Sequence, residues 1–239
     1  MTTRRILAVL GLTALAALST PVTSVEAATP LCFGKTPTIV GTEGPDDLVG
    51  GPTDVVYAGG GDDFVYNARF ICGGPGNDRL QGSSGTNSIN GGDGNDRITG
   101  DYDGGTAGDV LQGNAGDDYI VDLNDYDYST DVGTDVMRGG IGHDTLVSTV
   151  GADKLYGEAG RDALQDEAMK RTILSGGPDA DTLCSSSIVG PDPGPLAADA
   201  LDGGTGSDTS WSRNGDGDTR VNIESPINTS LNATCYAVS

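Results

Sequence analysis

The stretch "GGPGNDRLQGSSGTNSINGGDGNDRIT", residues 73–99, divides into three blocks of nine in which a glycine turn, an Asp or Asn, and an aliphatic residue occupy the same slots. Glycines permit the positive-φ turns and close backbone approach that a β-carbon obstructs. The polar residue closes the turn, and a triplet such as Arg79-Leu80-Gln81 is a minimal strand with one side chain facing inward. One block alone cannot bury that side chain. Stacked blocks can, because each aliphatic residue meets its equivalents above and below while the strands pair along the stack.

The pattern extends well beyond the quoted stretch. Its sixth slot holds Asp46, Asp54, Asp63, Asp78, Asn87, Asp96, Asp109, Asp118, Asp135, Asp144, Asp153, Asp162, Asp181 and Asp208. Seven of the thirteen intervals are nine residues, and Gly stands two places earlier at eleven of the fourteen positions, so the phasing is not a composition effect. Two places later come Leu48, Val56, Val65, Leu80, Ile89, Ile98, Leu111, Ile120, Met137, Leu146, Leu155, Leu164 and Leu183, with Ser210 the exception. An all-β solenoid follows.

Composition limits the function classes. With 39 Gly, 5% aromatic residues and a formal net charge of −22, the chain has little material for a thick core, and it repels nucleic acid and anionic lipid. Cations are the partner it invites. Arg4 and Arg5, the apolar run Ile6–Leu18 and Val25-Glu26-Ala27 read as an export signal over residues 1–27, with cleavage expected after Ala27. The Sec route is expected, with twin-arginine export left open by "TTRRILA". A secreted, extracellular protein is the expectation, with no membrane insertion. The four cysteines permit three pairings; Cys32–Cys72 and Cys184–Cys235 are preferred because each ties a chain end to the nearest repeat.

The blocks "GGPGND" (73–78), "GGDGND" (91–96), "GGIGHD" (139–144) and "GGTGSD" (203–208) resemble the GGxGxDxUx nonapeptide of RTX, or hemolysin-type, calcium-binding proteins. The resemblance implies a right-handed parallel β-roll of 18 residues per turn, with several Ca2+ ions held between turns on one edge. It pairs carboxylates two blocks apart: Asp78 with Asp96, Asp135 with Asp153, and Asp144 with Asp162. The expected metal-site residues are Gly73, Gly74, Gly76 and Asp78; Gly91, Gly92, Gly94 and Asp96; Gly139, Gly140, Gly142 and Asp144; Gly157 and Asp162; and Asp46, Asp63, Asp118, Asp135, Asp153 and Asp208. Calcium takes six to eight oxygens at about 2.3–2.6 Å, which carboxylates and turn carbonyls can supply. Asn87, the glycine-poor "STVGAD" (148–153) and Asp179 in "GGPDAD" (176–181) predict weaker or empty sites.

The expected division is a signal peptide (1–27), an N-terminal cap (28–40), the repeats with inserted loops (41–184), a Pro-rich loop (185–200), and a last repeat with a C-terminal cap (201–239). The insertions are "DGGTAGD" (103–109), the acidic, Tyr-rich "VDLNDYDYSTDVG" (121–133) and "QDEAMKRTILS" (165–175), whose mixed charge suits a short helical turn. Trp211 is expected to plug the end of the stack. "NGDGDTRVNIES" (214–225) has EF-hand-like spacing but carries Thr219 and Ser225 where that loop wants Gly and an acid, so a degenerate last coil is preferred.

No catalytic constellation is recognisable. His143 is the single histidine and sits in the variable fifth slot of "GGIGHD", and no HExxH or GxSxG motif occurs. The expected role is structural or interactive, not enzymatic. Two alternatives stay open on the same scaffold: an enzyme acting on extracellular polysaccharide, and a cell-surface adhesion module with an unidentified glycan or cell-wall ligand. Tyr119, Tyr126 and Tyr128 are candidates for that module's binding patch, with burial in the fold as the competing reading.

Overall fold

Each aliphatic slot sits on a short strand that pairs with its equivalents one coil away. The computed structural model describes residues 30–100, 108–122, 133–168, 170–185, 198–212 and 218–227. Among these are two parallel sheets of ten strands each and no helix. The first sheet contains Ile39–Val40, Val55–Tyr57, Phe70–Pro75, Ser88–Asp93, Val110–Ala115, Val136–Ile141, Lys154–Ala159, Ile173–Pro178, Ala200–Thr205 and Thr219–Val221. The second contains Asp47–Val49, Phe64–Ala68, Arg79–Gly82, Arg97–Thr99, Tyr119–Asp122, Thr145–Ser148, Ala163–Asp166, Thr182–Ser185, Thr209–Ser212 and Ser225–Ile227. The chain alternates between sheets, so every sheet neighbour is two strands away in sequence. This is the parallel β-solenoid expected of a β-roll.

The core is two files of aliphatic side chains. In the first sheet Ile71, Ile89, Leu111, Met137, Leu155, Leu174 and Leu201 lie in register. Val65, Leu80, Ile98, Ile120, Leu146, Leu164 and Leu183 do the same in the second. All are essentially inaccessible to water. Aliphatic burial is thus confined to at most two side chains per strand, and parallel hydrogen bonding between coils carries the remaining order. Ser210 interrupts the second file as anticipated; it is buried and its Oγ has no hydrogen-bond partner.

Coil length varies while the paired strands stay in register, apart from one bulge between Tyr66 and Ala68. Along one edge the stacked Asp46, Asp63, Asp78, Asp96, Asp118, Asp144, Asp162, Asp181 and Asp208 are 17, 15, 18, 22, 26, 18, 19 and 27 residues apart. The 18-residue turn therefore holds where two nonapeptides are uninterrupted, and the connecting turns absorb the differences elsewhere.

Several local expectations are corrected. The segment 165–175 forms no helical turn among its described residues: Ala163–Asp166 and Ile173–Pro178 are strands, and Leu174 belongs to the core file. The sheets also ignore the expected divisions at 41 and 200. Ile39–Val40 already pairs with Val55–Tyr57, and Ala200–Thr205 pairs with Ile173–Pro178 across the Pro-rich segment, because the Asp-Ala-Leu triplet at 199–201 carries the same register signals as the earlier coils. Trp211 does not plug the stack, since its strand is paired on both sides, opposite Cys184 and Ile227. Among the described residues 218–225, Thr219–Val221 is a strand of the first sheet, so this part belongs to a coil of the roll and does not form an EF-hand loop.

At the N-terminal end Cys32 and Cys72 form a disulfide with Cα atoms 5.7 Å apart, and the Lys35 ammonium lies 4.7 Å from the centroid of the Phe70 ring. Cys184 is buried on the strand Thr182–Ser185. Its expected partner Cys235, the signal segment 1–27, Tyr126 and Tyr128 lie outside the described residues. Tyr119 is half-buried beneath the Arg97 guanidinium, 4.5 Å from its ring centroid.

Candidate metal centre

The block Gly91–Asp96 shows what each recurring slot does in the turn. A β-carbon on Gly91 would strike the carboxylate of Asp96, Oδ2 first. Gly92 and Gly94 have φ of +126° and +123°, and β-carbons there would collide with the carbonyl oxygens of Gly74 and Gly76 in the adjacent coil. Glycine at slot one leaves room for a carboxylate, and glycine at slots two and four lets neighbouring coils approach. Gly73, Gly139 and Gly157 stand in the same relation to Asp78, Asp144 and Asp162. Gly74, Gly76, Gly140 and Gly142 likewise have positive φ and face carbonyls one coil away.

The aspartates form a continuous ladder on this edge. The backbone N–H groups of Asp46, Asp63, Asp78, Asp96, Asp118, Asp144, Asp162 and Asp181 donate to Oδ1 of the aspartate one coil further on, at 2.8–2.9 Å. Asp208 ends the run by donating to Glu224 Oε2 at 2.7 Å. One oxygen of each carboxylate is therefore used. The other is not: Oδ2 of Asp63, Asp78, Asp96, Asp118, Asp144, Asp162, Asp181 and Asp208 is buried without a hydrogen-bond partner. Asp46, in the first described coil, differs because Oδ2 accepts from Thr42 N–H at 2.6 Å and Thr42 Oγ1 at 2.9 Å.

A buried polar atom without a partner costs about 1–3 kcal/mol, and more when charged. A row of eight in register is far outside what a folded protein tolerates unless something binds there. Burial is the leading cause that raises six of them, to about 6 for Asp78, Asp118 and Asp162, about 7 for Asp144 and Asp181, and about 8 for Asp96. Backbone hydrogen bonds partly oppose it, and neighbouring aspartates add repulsion. Oxygen-only donors beneath glycine cradles suit a hard divalent cation.

Asp135 and Asp153 lie on the opposite edge, in a second ladder. There Asp135 N–H donates to Asp153 Oδ1 at 2.9 Å, Asn87 N–H to Asp109 Oδ1 at 2.7 Å, and Asp199 N–H to Asp218 Oδ1 at 2.9 Å. The structure thus places all three predicted pairs, 78/96, 135/153 and 144/162, in adjacent coils, but on two separate edges. Asn87 meets its needs within the protein: its amide donates to the carbonyls of Ser83 and Gly85 at 2.8 and 2.7 Å and to Asp109 Oδ2 at 3.3 Å. Those hydrogens stand where an aspartate would require a cation.

A sequence profile of the RTX calcium-binding nonapeptide repeat matches the chain in four copies, at residues 40–69, 73–101, 103–123 and 129–164. The chain is an RTX nonapeptide-repeat protein. No curated protein and no solved structure matches it. As an RTX protein with repeats stacked in a β-solenoid, it is a calcium-binding β-roll protein, and the two edges are where its acidic turns gather.

Several site-lining residues lie outside the Gly-Asp signature. Asp199 occupies a sixth-slot position with Ala197 where the pattern has Gly, legible only from Leu201 two residues on, and Asp218 occupies the next such position with Arg220 in the aliphatic slot. Thr172 fills the same slot and donates its N–H to Asp199 Oδ1 at 2.7 Å. Asp122 and Asp166 are buried at the ends of their strands, two residues after the inward Ile120 and Leu164, so period-2 alternation was the available signal.

The variable fifth slot of the RTX repeat also proves organised. Asn77, Asn95, Asp117 and His143 donate their backbone N–H to Oδ1 of Asp62, Asn77, Asn95 and Asp117 at 2.8–2.9 Å, and Arg161 N–H donates to His143 Nδ1 at 3.0 Å. His143 is therefore a turn acceptor, exposed on the outside of the roll. His143→Ala should lower stability by no more than about 1 kcal/mol, because water reaches the freed N–H. A thermal melt in saturating calcium checks this, and the bound-calcium count should be unchanged.

Proposed function

We propose that this protein is a secreted, non-enzymatic β-roll in which Ca2+ ions, held between stacked glycine-aspartate turns, drive folding of a rigid structural or interaction element. The observation that carries the reading is the row of eight buried Oδ2 atoms without partners along one edge. Asp78 with Asp96, Asp96 with Asp118, and Asp144 with Asp162 would each share an ion between coils, two carboxylates neutralising one divalent charge. Export fits the Cys32–Cys72 disulfide, which an oxidising compartment sustains. A non-catalytic role fits His143, whose Nδ1 is already occupied by Arg161 N–H. At extracellular calcium levels, affinities of roughly 10⁻⁴–10⁻³ M per site suffice.

Two variants at one position separate ion binding from the ladder. Asp96→Asn keeps an oxygen for the Asp78 N–H and removes the charge; Asp96→Ala removes both. Calcium titration calorimetry should show at least a tenfold loss of affinity at that coil in each variant, equivalent to about 1.4 kcal/mol. Only Asp96→Ala should further destabilise the calcium-saturated protein, by about 1–3 kcal/mol for the orphaned N–H. Wild-type affinity in both variants would leave the aspartates as turn caps.

A further inference from the structure

The second edge differs from the first in what lies beneath its sixth-slot ladder. On the first edge slot one is glycine in nearly every coil. On the second, the inward position following each strand triplet runs Gly82, Gly100, Asp122, Ser148, Asp166 and Ser185. Asp122 shares the inward face of Ile120 and is 4% exposed. It meets Asp135 and Asp153, and one carboxylate oxygen from each of the three lies within 4.8 Å of the other two. Asp122 Oδ2 is buried and has no hydrogen-bond partner. Burial first, then the charges of Asp135 and Asp153, drive its carboxyl up to about 10. The neighbouring coil is chemically different: Ser148 Oγ donates to Asp153 Oδ2 at 2.6 Å.

Two oxygens bound to one calcium ion can lie no more than about 5 Å apart, since each sits about 2.3–2.6 Å from the metal. The triad meets that limit. We propose that Asp122, Asp135 and Asp153 form an additional, buried divalent-cation site of three carboxylates, distinct from the glycine-turn sites in that one ligand takes the slot-one place that glycine holds in those turns. The proposal rests on the calcium reading above and specifies one site's donor set. A third carboxylate gives this site more negative charge per ion than a pair of repeat turns, and charge count is a principal determinant of calcium affinity. Its ion should be the one held longest. Asp122 and Asp135 also flank residues 123–132, so a shared ion joins the two ends of that segment and its binding free energy offsets the entropy of bringing them together.

The test is a calcium count by equilibrium dialysis, followed by stepwise removal with a chelator, on the wild type, Asp122→Ser and Asp96→Asn. Asp122→Ser places at this position the residue its in-register neighbour Ser148 already has. It should bind one ion fewer and lose the most slowly released ion, with at least a tenfold weaker tightest step and an unchanged circular dichroism spectrum in calcium. Asp96→Asn should retain that tightest step. Equal count and retention in Asp122→Ser would overturn the site and leave a proton shared among the three carboxylates. Loss of the tightest step in Asp96→Asn and not in Asp122→Ser would overturn it too. If Asp122→Ser does not fold in calcium, Asp122→Asn, which keeps the shape and removes the charge, is judged by the same two readings. A wild type that binds no calcium defeats the calcium reading itself; a calcium-loaded wild type with an unaltered Asp122→Ser defeats only this site.

Discussion

Chelation of calcium should abolish most of the strand signal in circular dichroism, and excess calcium should restore it cooperatively. Ordering the backbone costs about 1–2 kcal/mol per residue, against which a strand buries at most two aliphatic side chains. The chain carries 35 acidic against 13 basic residues, and its sixth-slot aspartates stack at neighbouring-coil spacing. Without a counter-ion, the roll must bury a column of like charges whose second oxygens have no partner. An ion shared between turns removes both penalties at once, so its binding free energy becomes folding free energy. Each coil also contacts only its neighbours, so ions should enter cooperatively along the stack. A strand-rich spectrum unaffected by chelator would show that the fold stands without the ion.

Acid should partly replace calcium. In the ion-free roll Asp78, Asp96, Asp118, Asp144, Asp162 and Asp181 are raised from 3.8 to between about 6 and about 8. Between those limits the folded chain binds more protons than the unfolded chain, so stability falls as pH rises. The contribution is fully present below the unfolded value and is lost as pH climbs through about 6 to 8. Calcium-free protein should therefore gain strand content on going from pH 8 to pH 5, a range that stays above the isoelectric point of about 4.1. The calcium-loaded protein should behave oppositely over the same range, because protons and calcium compete for the same oxygens and binding releases protons. Circular dichroism against pH with and without calcium tests both; parallel curves would contradict the shared-oxygen argument.

The phased Gly, Asp and aliphatic slots were enough to specify a parallel solenoid, its inward residues from Leu48 to Leu183, and the glycines on which each turn depends. Those features are local: a φ of +126° at Gly92 or an inward Leu80 follows from the block's own backbone and alternation. Which aspartates meet could be counted only where coils are 18 residues long, as for Asp78 and Asp96. Across the inserted turns, Asp96 meets Asp118 and Asp118 meets Asp144 at separations of 22 and 26, because the sheets align strands and let loops take any length. That alignment is a long-range property of the stack. It sorts the aspartates onto two edges, turns the fifth slot into a hydrogen-bonded ladder through His143, and brings Asp122, standing in the place of a slot-one glycine, against Asp135 and Asp153. Residue identity settles how one turn is made; the register of neighbouring coils settles which charges share a space, since only tertiary stacking brings carboxylates separated by an insertion into a single coordination distance.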